Sequence, residues 1–399
     1  MAIYNKMAPR PDGSVGDYRR FVVERLYHQM LRARMDEIRR QPDSPLSVAF
    51  SATRSLNRAS DAFVLSAVVK QGKVEQTIEV LVTEVARALR HGFTAAELDR
   101  AKKQLVRSYQ RSVSEKDKQN PRTYAREILR HHFTGEAMPG IEHELAMVER
   151  LLPTVKLDEL DQLASSWVSE DNRVITISGP STVTMPGQDA VLAAVRSATS
   201  KDIEPYREQA VAESLMARAP QAGTIAQTET IDELGVTVWT LSNGARVVLK
   251  PTDFKNDQIL LSAFSPGGHS LVGEADYPSA RYAAVIAGES GVGQFSATDL
   301  GKVLTGKVVQ VRPYIGELEE GMSGSASPRD IETLLQLVHL RVTAPRRDAA
   351  AFAAWRERTA ERLANRRLRP ESAFFDDLQA FSFQNHPRRL PATAELLDQ

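Results

Sequence analysis

The sequence predicts an α+β fold, with helices packed on largely antiparallel sheets, and three observations support this class. Ser242-Asn243-Gly244 separates two runs rich in β-branched residues, which predicts a hairpin because Asn and Gly tolerate the positive φ of a tight turn. Apolar residues recur at helical spacing through most of residues 74–168. Strand-like runs lie before and after that stretch, so strands and helices are segregated rather than alternating.

The N-terminal part is predicted to form a strand, a long helix and two further strands. Residues 3–6 are the first strand, and Asp17 is expected to cap a helix whose apolar residues recur at steps of three to five. The next two strands are expected at residues 46–53 and 62–70, with residues 54–61 as their connection.

Helices are predicted to dominate the chain from residue 74 to residue 168. Gly92 is the residue type preferred just past a helix end, and the Thr94-to-Glu97 spacing of a capping box predicts that another helix begins at once. A strand over residues 173–178 then closes a first domain, predicted to cover residues 1–195. The predicted helices lie at 74–90, 94–113, 121–133, 141–152 and 157–168.

A connector is predicted at residues 196–235. Because structureless loops of this length are uncommon, we expect the segment to lie over the domains as a tether. Helical spacing occurs near residues 190–199 and 206–217, and the Pro- and Gly-containing residues 220–224 indicate an extended linker.

The hairpin around Asn243 opens a second domain, predicted to cover residues 236–399 and to be incomplete at its C-terminal end. A third apolar run, over residues 259–264, ends in Pro266-Gly267-Gly268, and helical spacing resumes at residues 279–287. The predicted order is therefore strand, turn, strand, strand, turn, helix.

Composition excludes several classes of function. The 51 basic and 51 acidic residues cancel, so no global field attracts nucleic acid or an anionic membrane. The first helix has an arginine-rich face, but Glu24, Asp36 and Glu37 interleave with it, which favours a solvated surface over a nucleic-acid site. The chain has no cysteine, which excludes disulfides and thiolate chemistry. No signal peptide and no membrane span are expected, since residues 2–6 do not lead into an apolar run.

Residue types and spacings predict neither a metal site nor a catalytic centre. A helical zinc site needs two histidines three or four residues apart, and no pair among the eight has that spacing. Ser290 follows Gly288-Glu289, but the nucleophile-elbow spacing fails at Val292, so a flexible turn is the better interpretation. The acidic cluster of Glu317, Glu319 and Glu320 is interpreted as a solvated hairpin edge. The histidines are His28, His91, His131, His132, His143, His269, His339 and His386.

A combination of motifs nevertheless resembles one family. The motifs are Gly16-Asp17-Tyr18-Arg19-Arg20, Gly92-Phe93-Thr94 with Glu97-Leu98 and Ala101-Lys102, Leu241-Ser242-Asn243-Gly244 with Val247 and Lys250-Pro251-Thr252, and the Gly267-Gly268 turn. Together they resemble the M16 (insulinase/pitrilysin) zinc metallopeptidase family, and within it the bacterial PqqL-like members. The resemblance extends over essentially the whole chain.

This resemblance implies repeated αβ domains of the M16 (LuxS/MPP-like metallohydrolase) type, two per half, which close around a peptide-holding chamber. Residues 1–195 would be the second domain and residues from 236 onward the third. The family holds zinc with a His-x-x-Glu-His motif in the first domain, and that motif is absent from this sequence. The resemblance therefore implies that the full-length protein binds zinc, whereas this chain is expected to hold none. It also implies that the full-length bacterial protein is periplasmic or secreted.

Two functions remain open at this point. The chain is interpreted either as the non-catalytic portion of a zinc peptidase, or as a self-standing peptide-binding or subunit-interaction module. Its expected partners are a peptide or protein substrate, the missing catalytic domain or another M16 subunit, and a second copy bound through an incomplete sheet edge. The resemblance implies that peptides pair with an exposed strand. The candidate substrate-binding residues are Phe264, Gly267, Gly268 and His269.

Overall fold

A computed structural model describes residues 1–181, 183–208, 212 and 214–398, and confirms the α+β class. The first part of the chain forms a four-stranded antiparallel sheet with helices on one face. Its elements are β1 (Ala2–Met7), α1 (Val15–Arg39), β2 (Leu46–Asn57), β3 (Ser60–Val69), α2 (Val74–His91), α3 (Ala95–Ser114), α4 (Pro121–Thr134), α5 (Ile141–Leu151), α6 (Leu157–Ser165), β4 (Arg173–Thr176) and α7 (Gln188–Ser200). The strand order is β2-β3-β1-β4, so the strand that begins the chain lies inside the sheet.

Aromatic packing under this sheet holds α1 in place. Tyr27 is 1% exposed, and its ring makes edge contacts with Phe93 and Trp167 at centroid distances of 5.3 and 5.1 Å. His28 stacks on Trp167 at 5.5 Å and on Phe63 at 5.8 Å. Full burial of one such ring stabilises the fold by about 1.5–3 kcal/mol relative to an exposed ring. This cluster therefore anchors the first helix to the sheet.

Local sequence signals fix the ends of two helices. Thr94 and Glu97 form the predicted capping box, in which the Glu97 amide donates to the Thr94 hydroxyl at 3.2 Å and the Thr94 amide donates to the Glu97 carboxylate at 2.7 Å. Ser14, and not Asp17, caps α1. Asp17 is the acidic member of that capping box, and its carboxylate accepts from the Ser14 amide at 3.0 Å.

Two further predictions in the first part need correction. Residues 54–61 are not a loop, because β2 continues to Asn57 and pairs with β3 across a tight turn. The helix predicted over residues 206–217 lies partly outside the described residues, and the chain is not helical at 206–208, 212 and 214–217. α7 packs Val191, Ala194 and Val195 onto Ile78 of α2, across the predicted boundary at residue 195.

The central hairpin forms as predicted but belongs to a sheet of its own. β5 (Ile225–Ile231), β6 (Val236–Leu241) and β7 (Arg246–Leu249) pair in the order β5-β6-β7, and Gly244 has a φ of +84° in the turn. β5 lies inside the segment predicted as linker. The hairpin is not hydrogen-bonded to the third predicted strand within the described residues, because that strand joins a different sheet.

The C-terminal part, over residues 259–382, forms a second unit of helices packed on three antiparallel strands; this unit and the four-stranded unit at the N-terminus are called the two α/β units below. Its elements are β8 (Ile259–Pro266), α8 (Tyr277–Glu289), α9 (Ala297–Val303), β9 (Val309–Ile315), β10 (Glu319–Ala326), α10 (Ile331–Thr343), α11 (Ala349–Ala364) and α12 (Pro370–Ser382). The strand order is β8-β10-β9. Val292, Phe295 and Leu334 form the centre of its core. No helix among the described residues is both long and apolar enough to cross a membrane.

A buried ion cluster joins the two α/β units. Arg107 of α3 is 5% exposed, and its Nη2 lies 3.1 Å from the Asp257 carboxylate and 3.8 Å from that of Asp330. The Asp257 amide donates to the Glu115 carboxylate at 2.6 Å, and the Ser327 hydroxyl donates to Asp257. Because each charge has a partner in a site that excludes water, this cluster fixes the position of one unit on the other.

Candidate functional site

The first strand of the second unit offers a free backbone edge. β8 pairs with β10 on one side, and no strand pairs with its other side in the part of the chain that the structure describes. Leu260 is 75% exposed and Phe264 69% exposed on this strand. An unpaired edge with exposed apolar side chains is a template for an added strand.

Phe264 lies on the sheet face opposite the core. Side chains alternate between faces along a strand, and Leu261 packs against the core beneath the sheet, so Leu260, Ser262 and Phe264 share the open face. Gly321 stands opposite Phe264 on β10, and a Cβ at Gly321 would approach the Ala263 carbonyl oxygen to 1.9 Å. Phe264 therefore has no side chain in the directly opposite position and stays available for contact.

The Gly267-Gly268 turn ends this strand and docks on the β9–β10 connection. The Gly267 amide donates to the Leu318 carbonyl at 2.8 Å, and the His269 amide donates to the Gly316 carbonyl at 2.9 Å. Gly268 has a φ of +65°, and a Cβ there would lie 2.5 Å from the Gly316 oxygen. The two glycines thus allow this close backbone approach and present no side chain to a ligand.

His269 is half-buried behind the turn rather than exposed at the edge. Its ring contacts Tyr277 edge-on at 5.0 Å, and its Nδ1 is buried without a hydrogen-bond partner among the described residues. Arg388 from the C-terminal segment donates to the His269 carbonyl at 2.7 Å and to the Val272 carbonyl at 2.5 Å. Arg388 and His269 therefore hold the turn in position.

Of the four candidate residues, Phe264 alone places an exposed side chain on the free strand, while Gly267, Gly268 and His269 shape its end. Their role in substrate binding stays a prediction. Sequence reasoning missed Leu260 and Arg388. The alternation of Leu260 with Phe264 could have revealed the first, but Arg388 lies more than a hundred residues away in sequence and gave no signal.

Carboxylates surround the end of the strand. Glu317, Glu319 and Glu320 are exposed on the β9–β10 hairpin, which agrees with their interpretation as a solvated edge. Glu317 pairs with Arg389, and Glu319 accepts from the Tyr314 hydroxyl at 3.0 Å. The three carboxylates outnumber the two arginines at the turn, Arg388 and Arg389, so the net charge where β8 ends is weakly negative and favours a basic group in a ligand.

The described residues do not fit a zinc ion. No group of three or more His, Asp or Glu side chains within them is placed to hold a metal. His28 hydrogen-bonds the hydroxyls of Ser51 and Thr53 at 2.8 and 2.6 Å, and burial lowers the pKa of its imidazole to about 4. Ser290 is 2% exposed, and its hydroxyl donates to the Ile286 carbonyl at 2.9 Å. The His28 imidazole and the Ser290 hydroxyl are therefore used in hydrogen bonds that stabilise the fold.

The chain is similar to several known proteins. The family profile for the "Peptidase M16 inactive domain" matches residues 36–105. A "Zinc protease PQQL-like" of Arabidopsis thaliana is 28% identical over 281 residues, which cover 70% of this chain and 26% of that protein. A "Probable zinc protease PqqL" of Haemophilus influenzae is 18% identical over 374 residues, covering 93% of this chain and 40% of that protein.

Solved structures show the same fold. A mutant of the ferredoxin protease FusC in complex with Arabidopsis ferredoxin matches with a TM-score of 0.62 and 16% identity, covering 100% of this chain and 44% of that chain. The chain thus spans about a quarter to two fifths of the length of the curated relatives given above, 26% and 40%.

Proposed function

The chain belongs to the M16 metallopeptidase family as a PqqL-like member, and from this premise we propose that it is a non-catalytic portion of a zinc-dependent peptidase. In this proposal it contributes chamber wall and a surface that holds an extended peptide. The full-length protein hydrolyses peptides or proteins in the periplasm or outside the cell, with zinc held by residues outside this chain. No catalytic step is assigned to the residues described above.

The observation that carries the proposal is the free edge of β8. Main-chain groups of an added strand would complete its unpaired donors and acceptors, and this form of recognition is largely independent of the peptide sequence. Leu260 and Phe264 supply apolar contacts on the open face, and the acidic hairpin beside them favours a basic residue at one end of the peptide.

A second candidate function is a self-standing peptide-binding or subunit-interaction module. The buried cluster of Arg107, Asp257 and Asp330 supports it, because this cluster and ion pairs such as Lys302–Glu37 hold the two units against each other. Both candidates use the same strand edge. They differ in one measurable respect. If the chain is a portion of a peptidase, adding it to a separately supplied catalytic half should raise the rate of peptide hydrolysis; if it is a self-standing module, the rate should not change.

Peptide binding by the purified chain tests the strand edge. We expect a fluorescein-labelled peptide of alternating Val and Thr with one terminal Lys to bind, and the same peptide N-methylated at every backbone amide not to bind. Phe264→Ser should weaken binding roughly five-fold, since partial burial of one ring contributes about 1 kcal/mol. Phe254→Ser is the matched control, because Phe254 is 78% exposed but lies outside any strand.

Equal binding of the fully N-methylated peptide, which has no backbone donor on either edge, would contradict strand addition. Equal losses in the Phe264 and Phe254 variants would likewise show that the contact is not located on β8.

A further inference from the structure

A cleft that is open to solvent lies between the two units, and the edge of β8 does not line it. It has a volume of about 480 Å³ and lies between α3, the end of α5 and the loop at residues 305–307. Cavities of roughly 300–1,000 Å³ are the usual size of ligand sites. The cleft is therefore large enough for a short stretch of peptide.

Cations dominate the lining of this cleft. Glu149 is the single acidic residue among the described residues that line it, and Lys103 has its own exposed carboxylate partner, Asp99, at 2.7 Å. The basic lining residues are Lys102, Lys103, Arg107, Lys307 and Arg329.

Three of these cations hydrogen-bond to neutral acceptors. Lys102 donates to the Val155 carbonyl at 2.7 Å, Lys307 to the Thr333 hydroxyl at 2.7 Å, and Arg329 to the Gln110 amide oxygen at 3.3 Å. Burial lowers the pKa of Lys102, and the nearby carboxylates of Asp99 and Glu159 oppose this shift. An anion in the cleft would stabilise these charges.

Arg107 also lines the cleft, but its charge is already paired within the protein. Its side chain is 6% exposed, and its Nη2 is held by Asp257 and Asp330 on the far side. Its Nε is buried and has no hydrogen-bond acceptor within the described part of the chain. Because this Nε is buried, it is not open to a ligand, and Lys102, Lys307 and Arg329 remain the cations that an anion in the cleft could meet.

Apolar side chains complete the lining. Val106 is half-buried on α3, Leu152 is 3% exposed, and Pro153 follows it at the end of α5. An inorganic anion would leave this apolar surface uncovered. A ligand with carboxylates and a hydrophobic body would use both parts of the lining.

We propose that this cleft binds an acidic peptide segment, whose carboxylates meet Lys102, Lys307 and Arg329 while an apolar side chain covers Val106 and Pro153. The site goes beyond the proposed function, because it is formed by α3 and the 305–307 loop and does not involve β8. It takes peptides of opposite charge to those favoured at the strand edge.

Fluorescence anisotropy of the intact chain tests the cleft. The probe is a fluorescein-labelled peptide of alternating Glu and Leu, compared with the same peptide carrying Gln in place of Glu. The double variant Lys307→Gln/Arg329→Gln is expected to bind the acidic peptide roughly five-fold more weakly, from two partly exposed ion pairs. Arg111→Gln is the matched control, since Arg111 lies on α3, which borders the cleft, but is exposed and does not line the cleft itself.

We expect the Glu peptide to bind more tightly than the Gln peptide, and added salt to weaken its binding. Phe264→Ser should leave this binding unchanged, which separates the cleft from the strand edge. Equal affinity for the Gln peptide would overturn it, and this comparison needs no variant to fold. Equal effects of the double variant and Arg111→Gln would overturn it as well. Displacement of the peptide by inorganic phosphate at the same concentration as by unlabelled peptide would show that the apolar floor has no part, and would also reject it.

Discussion

Removal of the Arg107 side chain should uncouple the two α/β units. Arg107→Ala leaves the carboxylates of Asp257 and Asp330, whose side chains are 11% and 9% exposed, without their cation. Breaking a buried ion pair by removing one partner typically costs about 3–5 kcal/mol, because the remaining charge stays buried. We expect a loss of this size in the free energy that couples the units.

Tryptophan fluorescence during urea unfolding measures this loss. Trp167 is buried in the first unit and Trp355 in the second, so variants that keep one of the two, with Trp239 also replaced by Phe, report each unit separately. With Arg107 in place the two midpoints should coincide. In Arg107→Ala the second unit should unfold at lower urea than the first.

Two controls sharpen this test. Arg111→Ala, on the same helix but exposed, should leave the midpoints together. Arg107→Met combined with Asp257→Asn and Asp330→Asn should recover much of the coupling, because no charge is then left unpaired. Coincident midpoints in Arg107→Ala, with a change below about 0.5 kcal/mol, would refute the assignment of this cluster as a principal contact between the units, which are also joined by ion pairs such as Lys302–Glu37.

Three further predictions concern the turn, the first core and the connector. Gly268→Ala should lower the stability of the second unit by about 1–3 kcal/mol in thermal unfolding, because the residue has positive φ and its Cβ would collide with the Gly316 carbonyl; Gly273→Ala, with open space around it, should be neutral. The pKa of His28 is lowered to about 4 in the folded chain by burial and by the Arg10 charge, so the folded state binds fewer protons. Stability should therefore be complete above about pH 6.5 and fall by up to about 3 kcal/mol towards pH 4, and His28→Gln should remove this slope. Limited proteolysis should cut first at residues 220–224, which are exposed and lie outside any helix or strand; a first cut elsewhere, located by mass spectrometry, would contradict this.

Local signals in the sequence predicted local structure well. The Thr94-to-Glu97 capping box and the Asn243-Gly244 turn were predicted correctly, because each depends on residues within a few positions of one another. Ser14 was missed as the cap of α1 because Asp17 satisfies the same rule three residues later, and the structure uses both in one capping box.

Long-range pairing could not be predicted in the same way. β5 (Ile225–Ile231) is recognisable as a strand only because it pairs with β6 in the structure. Its seven residues are mostly exposed and show no alternation of apolar and polar residues that would distinguish them from a linker. Arg107 and Asp257 are 150 residues apart in sequence and show no mutual pattern. The candidate strand was found because its apolar run is local, whereas the contact of Arg388 with its turn depends on the packed unit.

Amide hydrogen exchange on the intact chain tests the central claim, that the edge of β8 pairs with an extended peptide. We expect saturating Val-Thr peptide to slow the exchange of backbone amides in residues 259–266, while the amides of residues 246–249 in β7 exchange at the same rate as without peptide. Unchanged exchange in residues 259–266 under saturating peptide, with protection at another strand or nowhere, would contradict it.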